Sequence, residues 1–156
     1  HATIYPYGVY ATQDGSVLFG LQNDREWKSF CAHVLERPGM GDDPAYHGNG
    51  NRAAARGVLE PILCEALGRM STEAALARLE NAGIGTARVN DMAGLWAHPQ
   101  LQARDRWQQV DTPAGPIPAL KPPATGGWAP KMGRVPDLGE HTEAIAREFS
   151  LDLGGA

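Results

Sequence analysis

The chain has 156 residues, 42% of them hydrophobic and 21% charged, which fits a globular fold with a real core rather than a disordered chain. A net charge of −4, with no dense Lys/Arg stripe, argues against a nucleic-acid partner. No apolar run approaches the ~18 residues of a membrane span, and there is no signal peptide, so a cytoplasmic protein is expected.

Val9 to Thr12 alternates, Gln13-Asp14-Gly15-Ser16 turns, and Val17 to Leu21 runs apolar. An Asp-Gly pair between two β-prone runs predicts a hairpin. The period then changes. Trp27, Phe30, Cys31, Val34 and Leu35 recur at helical spacing and make one apolar stripe. Asn23 or Asp24 suits the N-cap, and Pro38-Gly39 is the expected stop. The turn Gln22-Asn23-Asp24 therefore sits at a strand-to-helix junction, where it serves either as a helix start alone or as part of a site as well.

Gly41 to Asn51 reads as a polar, Gly-rich loop. Arg52 to Leu67 reads as helix, with Pro61 either kinking it or starting it anew in a first turn. Ser71 predicts an N-cap for a helix through Leu76 and Leu79 to Gly83, where Gly83-Ile84 suits a Schellman ending. Thr86 to Val89 is a short strand, and Asn90 or Asp91 caps a short helix to Ala97 that His98-Pro99 breaks. Arg106 to Thr112 and Pro116 to Leu120 flank Pro113-Ala114-Gly115 as a second hairpin. Lys121 to Pro136 is rich in proline and glycine and reads as an extended arm. GEHTEAIAREFS, from Gly139, is a final short helix with Ile145 and Phe149 on one side. The expected class is α+β: a small antiparallel sheet with packed helices over residues 1–120, then a Pro-rich arm and terminal helix over residues 121–156.

The chemistry-bearing residues form no self-contained catalytic set. The five histidines show no spacing of a triad or metal site. Cys31 and Cys64 lie in helical apolar patterns and read as buried reduced thiols rather than a disulfide. Asp24 and Glu26 fit the first turn of a helix, where negative charge is favourable, better than an acid/base pair. Asp42-Asp43-Pro44 fits the start of a helix or a turn better than an acid/base pair. The glycines at 39, 41, 48 and 50 lack the spacing of a phosphate loop. The four tryptophans, Trp27, Trp96, Trp107 and Trp128, read as core or interface.

Six motifs in order carry a resemblance: HATIYPYGVYATQDG, VLFGLQNDREWKSFC, DDPAYHGNGNRAAAR, LENAGIGTARVND, HPQLQARD and LGEHTEAI. Together they resemble the C-terminal half of the family III CoA-transferases, the CaiB/BaiF family. The resemblance implies a two-domain enzyme at least about twice this length, interlocked as a homodimer, with a Rossmann-like large domain holding most of the coenzyme A site. It implies that the nucleophilic Asp lies in the N-terminal half, so no catalytic residue is expected here. This chain then corresponds to the small domain plus a segment returning to the large one, and His1 reads as an internal residue. No tightly bound cofactor is implied. The substrates would be an acyl-CoA and a small carboxylic acid, with GLQNDREW resembling members that act on C4–C5 dicarboxylates.

The same resemblance bears on the junction. α-Methylacyl-CoA racemases of the family carry a Glu in this turn, where this sequence has Asn23, which favours a transferase over a racemase fragment. Gln22, Asn23 and Asp24 are expected to face the active-site cleft and contact substrate, with Tyr7 and Gly8 lining the same cleft. His98 stands where the family commonly has Asp, and PPATGGWAP, from Pro122, replaces the commoner PPxRxSGTP. A free-standing binding or dimerisation module is the reading from another class.

Overall fold

The structure is a computed structural model that describes residues 1, 3–124, 127 and 129–152. Trp128, most of the glycine-containing centre of PPATGGWAP, and the last four residues of the expected arm-and-helix segment lie outside the described residues. The chain divides into two compact units, His1–Asp91 and Met92–Ala156. The second hairpin therefore falls in the second unit.

In the first unit, β1 (Tyr7–Ala11) and β2 (Ser16–Gly20) form the expected hairpin, and β3 (Thr86–Arg88) adds to the far side of β2. All pairing is antiparallel. Tyr7 faces Gly20, Tyr10 faces Val17, and Phe19 faces Thr86. Alternation along β2 buries Val17 and Phe19 while Leu18 stays partly exposed, as a period of 2 requires. Helices α1 (Asp24–His33), α4 (Arg56–Gly68) and α5 (Thr72–Asn81) supply the rest of the core. Trp27, Phe30, Cys31 and Val34 from the α1 stripe meet Leu59, Leu63 and Leu67 of α4 and Leu79 of α5, all essentially inaccessible. Phe19 and Phe30 stack at 5.2 Å, and Tyr10 and Phe19 at 4.8 Å.

The hairpin turn does more than turn. Asp14 Oδ1 accepts from the Thr72 backbone N–H (2.6 Å) and from the Thr72 hydroxyl (2.8 Å). The hydroxyl has one proton, so Thr12 donates to it across 2.7 Å. Buried Thr72 thus pins the β1–β2 turn to the first turn of α5. The Thr72 N–H and hydroxyl hold the Asp14 carboxyl below its usual range.

Several local expectations change. Pro38 does not end α1. The helix stops at His33 because Glu36 takes a left-handed conformation (φ 57) and Leu35 N–H reaches back to the Phe30 carbonyl. Pro38 instead opens a short helix, α2 (Pro38–Gly41), at the first helical position, where its missing N–H costs nothing. The polar stretch expected as a loop holds a 3₁₀ turn at Pro44–Tyr46 and a helix, α3 (Gly48–Ala54). The expected helix from Arg52 to Leu67 is therefore the end of α3, a break at Ala55, and α4. Pro61 sits inside α4; the Gly57 carbonyl it cannot serve is on an exposed residue. The α5 ending is as expected, with Gly83 at φ 72 and Ile84 N–H bonded to the Leu79 carbonyl. Cys31 is buried but Cys64 is exposed; both are free thiols.

The second unit contains α6 (Met92–Trp96), α7 (Pro99–Ala103), the hairpin β4 (Trp107–Val110) and β5 (Ile117–Leu120), and α8 (Thr142–Glu148). His98-Pro99 breaks one helix and starts the next: His98 Nδ1 accepts from Gln100 N–H as the α7 cap, a helix the sequence pattern concealed. Among the described residues of this unit, Val110 and Ala146 are the buried hydrophobics. Ile145 and Phe149 of the terminal helix are open to solvent.

Candidate functional site

The junction after β2 is held tightly. Leu21 is buried and its N–H bonds the Pro6 carbonyl at 3.0 Å. Asn23 has extended dihedrals (φ −151, ψ 173) and its Oδ1 accepts from Glu26 N–H at 3.0 Å, making it the N-cap. Glu26 reciprocates: Oε1 accepts from Asn23 Nδ2 (2.9 Å) and Oε2 from Gln22 N–H (2.7 Å). This is the logic of the capping box, shifted one residue back on the backbone side. The Gln22 carbonyl accepts from Asn49 Nδ2 at 3.0 Å. With both backbone groups fixed, only the Gln22 side chain is free to meet another molecule.

Asp24 faces elsewhere. Its Oδ1 accepts from Arg52 Nη1 at 2.5 Å and from Gly48 N–H at 2.9 Å, and its Oδ2 lies 3.2 Å from His47 Nε2. Arg52 is fully buried and uses the whole guanidinium: Nε to the Tyr5 carbonyl, Nη1 also to the Tyr46 carbonyl, and Nη2 to Asn49 Oδ1. Its charge lies 5.6 Å from the centre of the Trp27 ring. Arg52 holds the Asp24 carboxyl below the usual carboxylate range, aided by the Gly48 N–H. This half-buried ion pair ties the α1 start to the 3₁₀ turn and to α3. A buried cation needs such a set of acceptors, and the sequence reading passed over Arg52 because its helix was expected to begin there.

A cleft of about 340 Å³ opens beside the junction, lined by Tyr7, Leu18, Gly20, Gln22, Glu26 and the Gly85–Ala87 segment. Of the five residues expected at a substrate cleft, Tyr7 and Gln22 line it. Gly8, Asn23 and Asp24 are not among its lining residues. Glu26, Gly85 and Thr86 are. Gly85 and Thr86 were missed because their place depends on β3 pairing with β2, which no local pattern specifies, and Glu26 because it was read only as a first-turn charge of the helix. The Tyr7 ring lies across Gly20, where a Cβ would fall 2.3 Å from Tyr7 Cδ2. Tyr7 is 40% exposed and pairs with the His1 ring at 5.5 Å. The arrangement offers a flat aromatic wall, a carboxamide and one carboxylate. No His or Cys is among the described residues that line this cleft, so its described walls pair no nucleophile with a base.

Elsewhere the chemistry is limited. Burial pushes the Cys31 thiol up to about 12, and partial desolvation beside the Glu60 carboxylate raises that of the more open Cys64, which keeps both protonated near neutrality. Among the described residues no group of three or more His, Cys, Asp or Glu could hold a metal ion, and no helix is long and apolar enough to cross a membrane. The second unit carries an apolar groove of about 580 Å³ between Trp96, Trp107, Ile117 and Leu120. Trp96 and Trp107 lie 4.8 Å apart there, and the buried Trp107 Nε1 has no hydrogen-bond partner among the described residues.

Known proteins bear on this geometry. The chain is 28% identical to human succinyl-CoA:glutarate CoA-transferase over 95% of its length and 34% of that protein's. It is 27% identical to the succinyl-CoA:mesaconate CoA-transferase of Haloarcula marismortui, over 99% of this chain and 39% of that one. A crystal structure of a CaiB/BaiF family protein from Brucella suis superposes with a TM-score of 0.74 at 29% identity, covering 95% of this chain and 38% of the other. The chain thus spans about a third of the length of the curated relatives it matches, on their C-terminal part. The profile of CoA-transferase family III matches residues 1–142, nearly the whole chain, and the chain belongs to that family.

Proposed function

We propose that this chain is the small-domain part, with its returning segment, of an enzyme that moves coenzyme A between an acyl-CoA and a small carboxylic acid. The observation that carries the reading is the near-complete alignment with relatives named as succinyl-CoA:glutarate and succinyl-CoA:mesaconate transferases. C4–C5 dicarboxylates are accordingly the first acceptors to try. In this reading the cleft beside Tyr7 and Gln22 faces the acyl group. Asn23 and Asp24 act behind it, holding the junction in place, and Gly8 keeps the strand backbone accessible next to Tyr7. The nucleophilic Asp comes from the large domain, and this chain supplies no catalytic residue. Coenzyme A enters and leaves as substrate, with no tightly bound cofactor. The arm and α8 over residues 121–156 pack on the large domain of an interlocked, cytoplasmic homodimer.

A racemase fragment fits less well. The place where racemases carry a Glu is occupied by Asn23, whose carboxamide is engaged in the cap and cannot serve as a base.

The test uses the full-length protein with succinyl-CoA and a panel of small mono- and dicarboxylic acids, following new thioesters by chromatography. Transfer to at least one acid is the expected result. No transfer, together with deuterium uptake at the α-carbon of a 2-methylacyl-CoA, would replace this reading with the racemase.

A further inference from the structure

Glu26 is the only ionisable acid or base other than tyrosine among the described residues that line the junction cleft. No Lys or Arg accompanies it there. Its carboxylate is fixed rather than free to swing away, because Gln22 N–H and Asn23 Nδ2 each hold one of its oxygens. We infer that Glu26 is a specificity-determining residue: a fixed negative charge on the small-domain wall that disfavours a second carboxylate on this side of the bound acid.

The argument rests on the reading that this cleft faces the acyl group. Within it, the physics is direct. An acid activated at one carboxyl presents the rest of its chain to the cleft. An aliphatic remainder meets the Tyr7 ring and Leu18 without penalty. A remainder ending in carboxylate meets a like charge with no cation on the same wall to offset it. Two unit charges about 4 Å apart repel by roughly 1 kcal/mol even in water, about fivefold in an equilibrium or rate constant, and by more where water is excluded. A dicarboxylate that is nonetheless a good substrate must have its far end directed away from this wall. Glu26 thereby fixes which way round such an acid sits. The Gln22 side chain lines the same cleft, and a cation in its place would offset the charge.

The experiment compares glutarate with valerate as acceptors in the full-length enzyme. The two have the same chain length, with and without the second carboxylate. Glu26→Gln removes the charge and keeps an acceptor for the cap, since Gln serves at this position of a capping box. Gln22→Lys adds a cation on the same wall without touching Glu26. Each is expected to raise the glutarate-to-valerate ratio of kcat/KM roughly fivefold. Arg25→Gln changes a charge next door but off the cleft, and should leave the ratio within about twofold. Gln22→Trp, bulky and neutral, should alter KM for both acids. If Gln22→Trp changes KM but neither charge variant moves the ratio, the inference about Glu26 is wrong while the cleft assignment stands. If Gln22→Trp changes nothing either, the cleft does not face the acyl group and both fail. A shift with Arg25→Gln as large as with Glu26→Gln would assign the effect to overall charge and overturn the specific role.

Discussion

The two units of this chain place their apolar residues in opposite ways. In His1–Asp91, Trp27, Phe30, Leu59, Leu63, Leu67 and Leu79 are at most 1% exposed, and sheet and helices close over them. In Met92–Ala156, Met92 is 64% exposed, Phe149 65%, and Trp96 and Ile117 more than 40%, and the sheet is a two-stranded hairpin of a kind that is marginal on its own. The first unit has the makings of independent stability. Among the described residues, the second carries large apolar side chains that its own elements leave open. The difference separates residues that hold this chain together from residues whose contribution depends on what surrounds it.

Substitutions can break that contrast, beginning with the largest expected effects. Arg52→Met should cost about 3–5 kcal/mol in urea unfolding, because it strips the partner from Asp24 and leaves three backbone and amide acceptors without a donor. Phe30→Ala should cost about 3–5 kcal/mol by the same measurement, through the cavity left between Phe19 and Trp27. A loss under about 1 kcal/mol at either site would mean that the first unit is not the rigid body its burial implies. Asp24→Asn should cost about 1.5–3 kcal/mol at neutral pH by removing the charge from a hydrogen bond to Arg52.

Asp24 also gives a pH test. Its carboxyl is held below the usual value in the folded state, so its stabilisation is complete above the unfolded pKa, about 4. It is lost as the pH falls through the lower folded pKa. Urea midpoints between pH 6 and 2 should fall less steeply in Asp24→Asn than in the parent. Asn23→Ala should cost about 1 kcal/mol by losing the cap, whereas Asn23→Ser should cost little. Phe149→Ser is expected to stay within about 0.5 kcal/mol in this chain alone, and a larger loss in the full-length protein would show that the second unit's open side chains find their burial there.

What the sequence disclosed follows a physical division. The Asp-Gly hairpin, the apolar stripe from Trp27, the Ser71 cap and the Gly83 ending are local signals, and each lies where the pattern put it. Glu36 escaped notice because nothing in a glutamate announces a left-handed conformation, so the stop was assigned to Pro38. The helix within Gly48–Ala54 escaped because its polar, glycine-containing residues have poor intrinsic helix propensity; Arg52, anchored by Asp24 from another element, holds that segment to the core. The cleft was half legible. Tyr7 and Gln22 were reachable from the junction, but Gly85 and Thr86 required knowing which strand β3 joins. Asp24 is a carboxylate at a helix start near a turn, and the structure pairs it with Arg52, a partner 28 residues on that no local pattern announces.

The Tyr7 ring resting on Gly20 has a consequence for anyone who reshapes this protein. The two positions face each other across the β1–β2 ladder and share one volume. A library that varies residue 20 alone should return little but glycine, since even alanine must displace an aromatic ring. One that first trims Tyr7 to a small residue should admit Ala or Ser at 20 and widen the cleft mouth. Positions 7 and 20 are a bump-and-hole pair, to be mutated together or left alone.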